Sequence, residues 1–76
     1  MKTTYYYKVI VSWRYEDTIK DFTYGSIVKY FDDFNKAFEY AKNNEDDSHN
    51  ITLFTNDPIY LDYVNKTSEN FSLIYK

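Results

Sequence analysis

The chain has 76 residues, a mass of 9.3 kDa and a formal net charge of −3 at pH 7. A chain of this length predicts one domain, residues 1–76, and is too short for a two-domain cleft or a dinucleotide-binding domain. It contains no cysteine, which excludes disulfides, thiolate metal sites and thiol chemistry. Since the sequence has no long apolar segment and no apolar leader, we expect a cytoplasmic protein without membrane association.

Aromatic residues make up 22% of the sequence, and ten of them are tyrosines. Aromatic side chains bury large areas, which helps a small domain to form a core without disulfides. Because tyrosine also has a polar end, we expect several of the ten at the surface or at an interface. The abundance of lysine, asparagine and tyrosine is typical of AT-rich coding sequences, which indicates a low-GC bacterium or one of its phages or plasmids.

Residues 5–15 and 18–31 predict two strands that form a hairpin. In the first strand, apolar residues occupy the odd positions and polar residues most of the even ones, a period typical of a half-buried strand. A two-residue turn at 16–17 would place apolar residues of both strands on one face. The resulting pairs are Tyr15–Thr18, Trp13–Lys20, Val11–Phe22 and Val9–Tyr24. The only glycine, Gly25, predicts a bulge or a close backbone approach in the second strand.

Residues 33–44 predict a helix. Asp32 or Asp33 can cap its N-terminus, because an aspartate carboxylate accepts hydrogen bonds from the free amides of the first turn. The apolar positions have the i, i+3, i+4, i+7 spacing of a helix that buries one side. They are Phe34, Ala37, Phe38 and Ala41. Residues 43–44, both asparagine, predict the end of the helix, since asparagine tolerates the left-handed backbone conformation there.

The C-terminal part of the chain predicts shorter elements. After a polar loop, residues 51–55 predict a third strand. In residues 59–64 the β-branched and aromatic content favours a strand, whereas a cap at Asp57 followed by Pro58 favours a short helix. We favour the strand. Residues 71–75 alternate in polarity and predict the last strand.

The order of elements is therefore β-β-α-β-β-β, with a short helix as the alternative for the fourth strand. This order predicts the α+β class. The helix has one apolar side, so it must pack across a sheet. We expect a small, antiparallel sheet of about four to five strands with one helix packed on a face.

Charge is distributed unevenly along the chain. Residues 31–62 contain eight acidic and two basic residues, whereas residues 1–30 contain five basic and three acidic ones. Such an acidic segment predicts a surface that meets a basic partner. The alternative interpretation is a solvated helix face whose acidic start suits the helix dipole. The candidate protein-binding residues are Asp32, Asp33, Glu39, Tyr40, Glu45, Asp46, Asp47, Tyr60 and Asp62.

The sequence offers little for catalysis or for a cofactor. The only histidine, His49, follows the acidic residues 45–47 in a polar loop that lacks the ligand spacing and central glycine of a calcium loop. One histidine and one glycine assemble neither a glycine-rich phosphate loop nor an arguable catalytic triad. We therefore expect no metal, no cofactor and no enzymatic activity.

Two other functions remain open as alternatives. In a sheet-based binder of single-stranded nucleic acid, Tyr5, Tyr7 and Trp13 of the first hairpin would stack on bases. The negative net charge and the pI of about 4.9 oppose phosphate binding, so nucleic acid is not the partner we expect. A homo-oligomeric structural protein built on paired sheet edges predicts a solution mass that is a multiple of 9.3 kDa.

The function we expect is protein binding. Tyrosine and tryptophan are enriched at interface hot spots, and a short sheet leaves edges that a partner can extend. In size, acidity and composition the chain is similar to many small phage or plasmid proteins that inhibit a host factor, including anti-CRISPR proteins and acidic DNA mimics. No specific motif carries this likeness. It implies a host protein with a basic surface as the partner, met in the host cytoplasm, with a homodimer as a further possibility.

Overall fold

A four-stranded sheet and one α-helix make up the part of the fold that is described. The computed structural model describes residues 4–16, 22–46 and 49–76. Its elements are β1 (Tyr7–Glu16), β2 (Phe22–Phe31), α1 (Phe34–Asn43), β3 (His49–Thr55) and β4 (Phe71–Tyr75). Two 3₁₀-helices, Pro58–Asp62 and Val64–Lys66, lie between β3 and β4. The predicted α+β class is confirmed.

The strand order in the sheet is β2-β1-β3-β4. β1 pairs antiparallel with β2 and with β3, but β3 pairs parallel with β4. The sheet is therefore mixed, and the prediction of an antiparallel sheet of about four to five strands is only approximately right. The parallel pair is possible because residues 56–70 carry the chain back to the start of β3 before β4 begins.

The strand favoured for residues 59–64 is wrong, and the alternative of a short helix is the correct one. Asp57 caps the first 3₁₀-helix, since its Oδ1 accepts a hydrogen bond from the amide of Ile59 at 3.0 Å. Pro58 occupies the first helical position, where its missing N–H costs nothing. These two local signals outweigh the strand preference of the β-branched and aromatic residues that follow.

The predicted register of the first hairpin is also wrong. Trp13 lies opposite Gly25 instead of Lys20, and Val11 lies opposite Ile27 instead of Phe22. The last described pair is Glu16 with Phe22, so the predicted turn at 16–17 is not formed between these strands; residues 17–21 lie outside the described part. A glycine opposite Trp13 leaves room for the indole, which a two-residue turn would not provide.

Residue parity describes the two faces of the sheet. In every strand the odd-numbered residues face α1 and the even-numbered residues face away from it, because all three pairings match odd with odd and even with even. The core lies on the odd-numbered side. Its buried residues are Tyr7, Val9, Val11, Phe34, Ala37, Ala41, Ile51, Leu53 and Phe71.

The helix is confirmed, with ends close to those predicted. Asp33 is the N-cap, and its Oδ2 accepts from the amide of Lys36 at 3.2 Å. The predicted left-handed ending is wrong, since Asn44 has φ −102° and ψ 0°. Its side-chain Nδ2 instead donates to the carbonyl of Tyr40 at 2.8 Å, which satisfies a free carbonyl of the last turn without a left-handed residue. In the described ranges, no helix has the length and apolarity to cross a membrane.

Candidate protein-binding surfaces

The predicted acidic surface is divided between the two ends of α1. Asp32 and Asp33 precede the helix, whereas Glu45 and Asp46 follow it. Ten helical residues separate the two groups by about 15 Å, since each residue of an α-helix rises by about 1.5 Å. Asp47 lies outside the described residues.

Three carboxylates gather where β2 leads into α1, and we call Asp32, Asp33 and Asp57 the acidic end. The hydroxyl of Tyr7 donates to Asp57 Oδ2 at 2.6 Å, which fixes this carboxylate beside the helix N-terminus. Asp33 is held by its capping hydrogen bond. The side chain of Asp32 is 83% exposed, and Lys36 Nζ lies 3.3 Å from its Oδ1. Two of the three carboxylates are thus rigidly positioned, and the third is open to a partner.

The phenol of Tyr7 reports the electrostatics of the acidic end. Burial raises the pKa of Tyr7, and the hydrogen bond to Asp57 together with the negative charges of Asp57 and Asp33 raises it further, to about 12. The neutral phenol is favoured because a phenolate here would lose hydration and face two carboxylates. A negative potential therefore extends from the surface to the edge of the core.

Replacing this phenol should make stability less dependent on alkaline pH. The folded-state pKa of Tyr7 lies above the ordinary value of 10.0, so its contribution is complete below pH 10 and is lost as pH rises to about 12. We expect Tyr7→Phe to lower the free energy of unfolding by about 1–2 kcal/mol at pH 8, through the lost hydrogen bond. Urea unfolding of both proteins between pH 8 and 12 should show this difference shrinking above pH 10.

Tyr30→Phe removes an exposed tyrosine hydroxyl and controls for general ionisation of tyrosines. A difference between wild type and Tyr7→Phe that stays constant across the whole pH range would show that the phenol does not respond to the carboxylates around it.

The acidic residues after α1 hold neighbouring elements together. Glu45 accepts from Lys42 Nζ at 3.5 Å and from the hydroxyl of Ser68, which links the end of the helix to the segment before β4. Asp46 Oδ1 lies 2.6 Å from His49 Nδ1, at the start of β3. These carboxylates already have partners within the chain, so they are less available to a binding partner than Asp32.

The remaining candidate residues are spread over the helix side of the molecule. Glu39 and Asp62 are exposed. The ring of Tyr40 lies between the ring of Phe31, at 5.3 Å, and Lys29 Nζ, at 5.1 Å. The ring of Tyr60 stacks on Tyr75 at 4.6 Å. Both tyrosines are half-buried in contacts within the chain, so the structure does not gather the predicted residues into one surface.

The aromatic platform suggested for nucleic acid is not formed by the predicted residues. Tyr7 is buried beneath α1, and Trp13 lies on the same odd-numbered side, with its ring 5.9 Å from that of His49. Tyr5 is 41% exposed but stands alone. Two of the three predicted stacking residues therefore serve the core side of the sheet.

The even-numbered face of the sheet is the surface that sequence reasoning missed, and we call it the open face. Within residues 6–12, 26–30, 50–54 and 72–76 its positions carry no carboxylate. Lys8 Nζ lies 5.6 Å from the ring centroid of Phe54. The other apolar side chains on this face are Ile10, Val28, Tyr30 and Ile74. The signal in the sequence was the presence of Tyr6 and Ile10 at otherwise polar even positions.

The described residues also define what the site does not contain. No three of the described His, Asp and Glu side chains converge as a metal site would require. No protein-family model, curated protein or solved structure matches the chain. The argument for function therefore depends on the geometry of the chain itself.

Proposed function

We propose that the chain is a small, non-catalytic protein-binding module whose acidic end covers a basic surface of its partner and inhibits it. The observation that carries this proposal is the placement of Asp32, Asp33 and Asp57 around one end of the helix, with Asp32 83% exposed. Carboxylates fixed in advance lose little conformational freedom on binding, which favours affinity.

The charge of the whole chain supports the same partner class. With a net charge of −3, the protein is attracted over distance to a basic groove, and this attraction raises the association rate. A groove that binds nucleic acid is basic, so a nucleic-acid-binding host protein suits the acidic end. We propose a phage or mobile-element inhibitor of this kind, an anti-defence protein that acts as a partial DNA mimic in the host cytoplasm.

The experiment compares Asp32→Lys with Glu69→Lys. Both substitutions change the net charge equally at an exposed residue, but Glu69 lies before β4, at the opposite end of the sheet from Asp32. The tagged protein is used to capture a partner from a nuclease-treated lysate of a low-GC bacterium, and the salt-eluted protein is purified. Titration of this protein should show binding weakened about tenfold or more by Asp32→Lys and hardly changed by Glu69→Lys.

Three results would contradict the proposal. The two variants bind equally well, or binding of the captured protein does not depend on salt. A ligand retained only when nuclease is omitted would also contradict it, because nucleic acid would then be the partner. Asp32→Lys removes only an exposed ion pair with Lys36, which contributes little to stability, so misfolding does not confuse the comparison.

A further inference from the structure

The outer edge of β2 is the longest unpaired edge of the described sheet. β2 and β4 are the outer strands of the order β2-β1-β3-β4. β4 has five residues, and the 3₁₀-helix Pro58–Asp62 packs beside it, with Tyr60 stacked on Tyr75. β2 has ten residues, and no described element lies along its outer side. A long unprotected edge is a template for pairing with another strand.

The hydrogen bonds of the sheet show which backbone groups this edge presents. The amide of Ile51 donates to Asn70 and the carbonyl of Thr55 accepts from Lys76, so the odd-numbered residues of β3 bond to β4. Successive residues of a strand bond to opposite sides. Even-numbered residues of β3 therefore bond to β1, odd-numbered residues of β1 bond to β2, and even-numbered residues of β2 direct their amides and carbonyls outward.

The side chains of this edge are apolar and exposed on both faces of the sheet. Ile27 is 45% exposed, Val28 47% and Tyr30 69%. The one charged residue of β2, Lys29, directs its Nζ over the ring of Tyr40, at 5.1 Å. A lysine that protects an edge must project into the approach of another strand, and this one is drawn back over the helix.

We propose that β2 pairs antiparallel with β2 of a second copy, with Val28 on the two-fold axis. In this register Val28 exchanges two N–H···O bonds with Val28 of the second copy, since its backbone groups point outward. Ser26 lies opposite Tyr30, and Ile27 lies opposite Lys29. Each contact occurs twice, as a two-fold interface requires. The two sheets become one continuous sheet of eight strands.

Charge favours a second copy as the occupant of this edge. β2 contains no acidic residue, so the strands meet without repulsion between carboxylates. Antiparallel pairing places the Phe31 end of one copy beside the Gly25 end of the other. The two acidic ends are then directed away from each other, and both stay open to a basic partner. The dimer thus goes beyond the proposed function and does not depend on it.

The first test is the solution mass of Val28→Pro measured by light scattering. We expect the wild type to show twice 9.3 kDa and to dissociate on dilution. Proline at 28 removes an amide that points outward, so the bonds to β1 remain and the fold is kept. We expect the dissociation constant of the dimer to rise about tenfold or more, because two interface hydrogen bonds are lost. Circular dichroism confirms that the variant is folded.

The second test fixes the register with single cysteines, which the chain otherwise lacks. Opposed residues of a hydrogen-bonded antiparallel pair have Cα atoms about 5.5 Å apart, within the range of a disulfide. Val28→Cys should therefore form a covalent dimer when oxidised with glutathione disulfide. Ile74→Cys is the control, because Ile74 lies on the same face but on the opposite edge strand, and it should stay monomeric.

A wild-type mass of 9.3 kDa at every concentration would overturn the proposal, as would a dimer that Val28→Pro leaves unchanged. Equal crosslinking of the two cysteine variants would also overturn it. If β2 instead accepts an extended segment of a different protein, the chain alone is monomeric and the proposed dimer fails, while the acidic-end proposal is unaffected.

Discussion

Phe71→Ala should unfold most of the protein at room temperature. Phe71 is 1% exposed and begins β4, with its ring 5.4 Å from that of Phe38 and with Lys42 Nζ 5.7 Å from its centroid. Truncation to alanine removes the ring that joins β4 to α1 and leaves a cavity, at a cost of about 3–5 kcal/mol. Small domains without disulfides have about that much stability in total. Urea unfolding measures the loss.

Tyr75→Ala is the matched control for this substitution. It removes an aromatic ring from the other end of the same strand, where the side chain is 50% exposed. We expect a loss of about 1 kcal/mol or less there, since most of the ring already contacts water and only its stack on Tyr60 is lost. Similar losses for both variants would show that β4 does not close the core through Phe71.

Gly25→Ala should produce the second large loss, although it adds only one methyl group. A Cβ at residue 25 would lie 2.5 Å from Cε2 and Cζ2 of the Trp13 indole. Either the ring or the edge strand must move, and overpacking of this kind costs about 1–3 kcal/mol. Because Trp13 is the only tryptophan, its fluorescence should report the displacement directly.

A double-mutant cycle with Trp13→Ala separates this steric effect from a backbone effect. In the Trp13→Ala protein the added methyl group has no indole to meet, so Gly25→Ala should then cost almost nothing. If the cost is the same in both backgrounds, the glycine is needed for its backbone and not for the space above it.

The elements with a clear period and a local cap were predictable from the sequence. The odd-numbered residues of β1 and the stripe on α1 that includes Phe34 and Ala37 are both confirmed as core, because burial on one side imposes the period directly. Asp33 was one of two predicted caps, and local hydrogen bonding decides between them. Such features depend on neighbours in sequence.

The register of β2 and the direction of β4 could not be predicted in this way. β2 has apolar residues at both parities, Ile27 and Val28 for example, so its polarity pattern does not decide which face is inside. The parallel pairing of β4 depends on the path of residues 56–70, which includes two 3₁₀-helices. Both features are set by contacts distant in sequence.

The candidate site shows the same limit. Asp32 and Glu45 were grouped because they are close in the sequence, but a ten-residue helix places them at opposite ends of the molecule. Asp57 joins Asp33 through the phenol of Tyr7, a residue far from both in the sequence. The open face was missed because it combines even positions from four strands, each of which looks unremarkable alone.

The position of β1 between β2 and β3 has a consequence for how the chain folds. The hairpin of β1 with β2 is local, but it cannot bury the odd-numbered side until β3 arrives from beyond the helix, where Tyr7 meets Thr55. The transition state must therefore close a long loop, and closing loops between distant residues slows folding. Until that happens, the newly made hairpin exposes Val9 and Val11 together with the β2 edge, and it is in this interval that association between copies competes with folding.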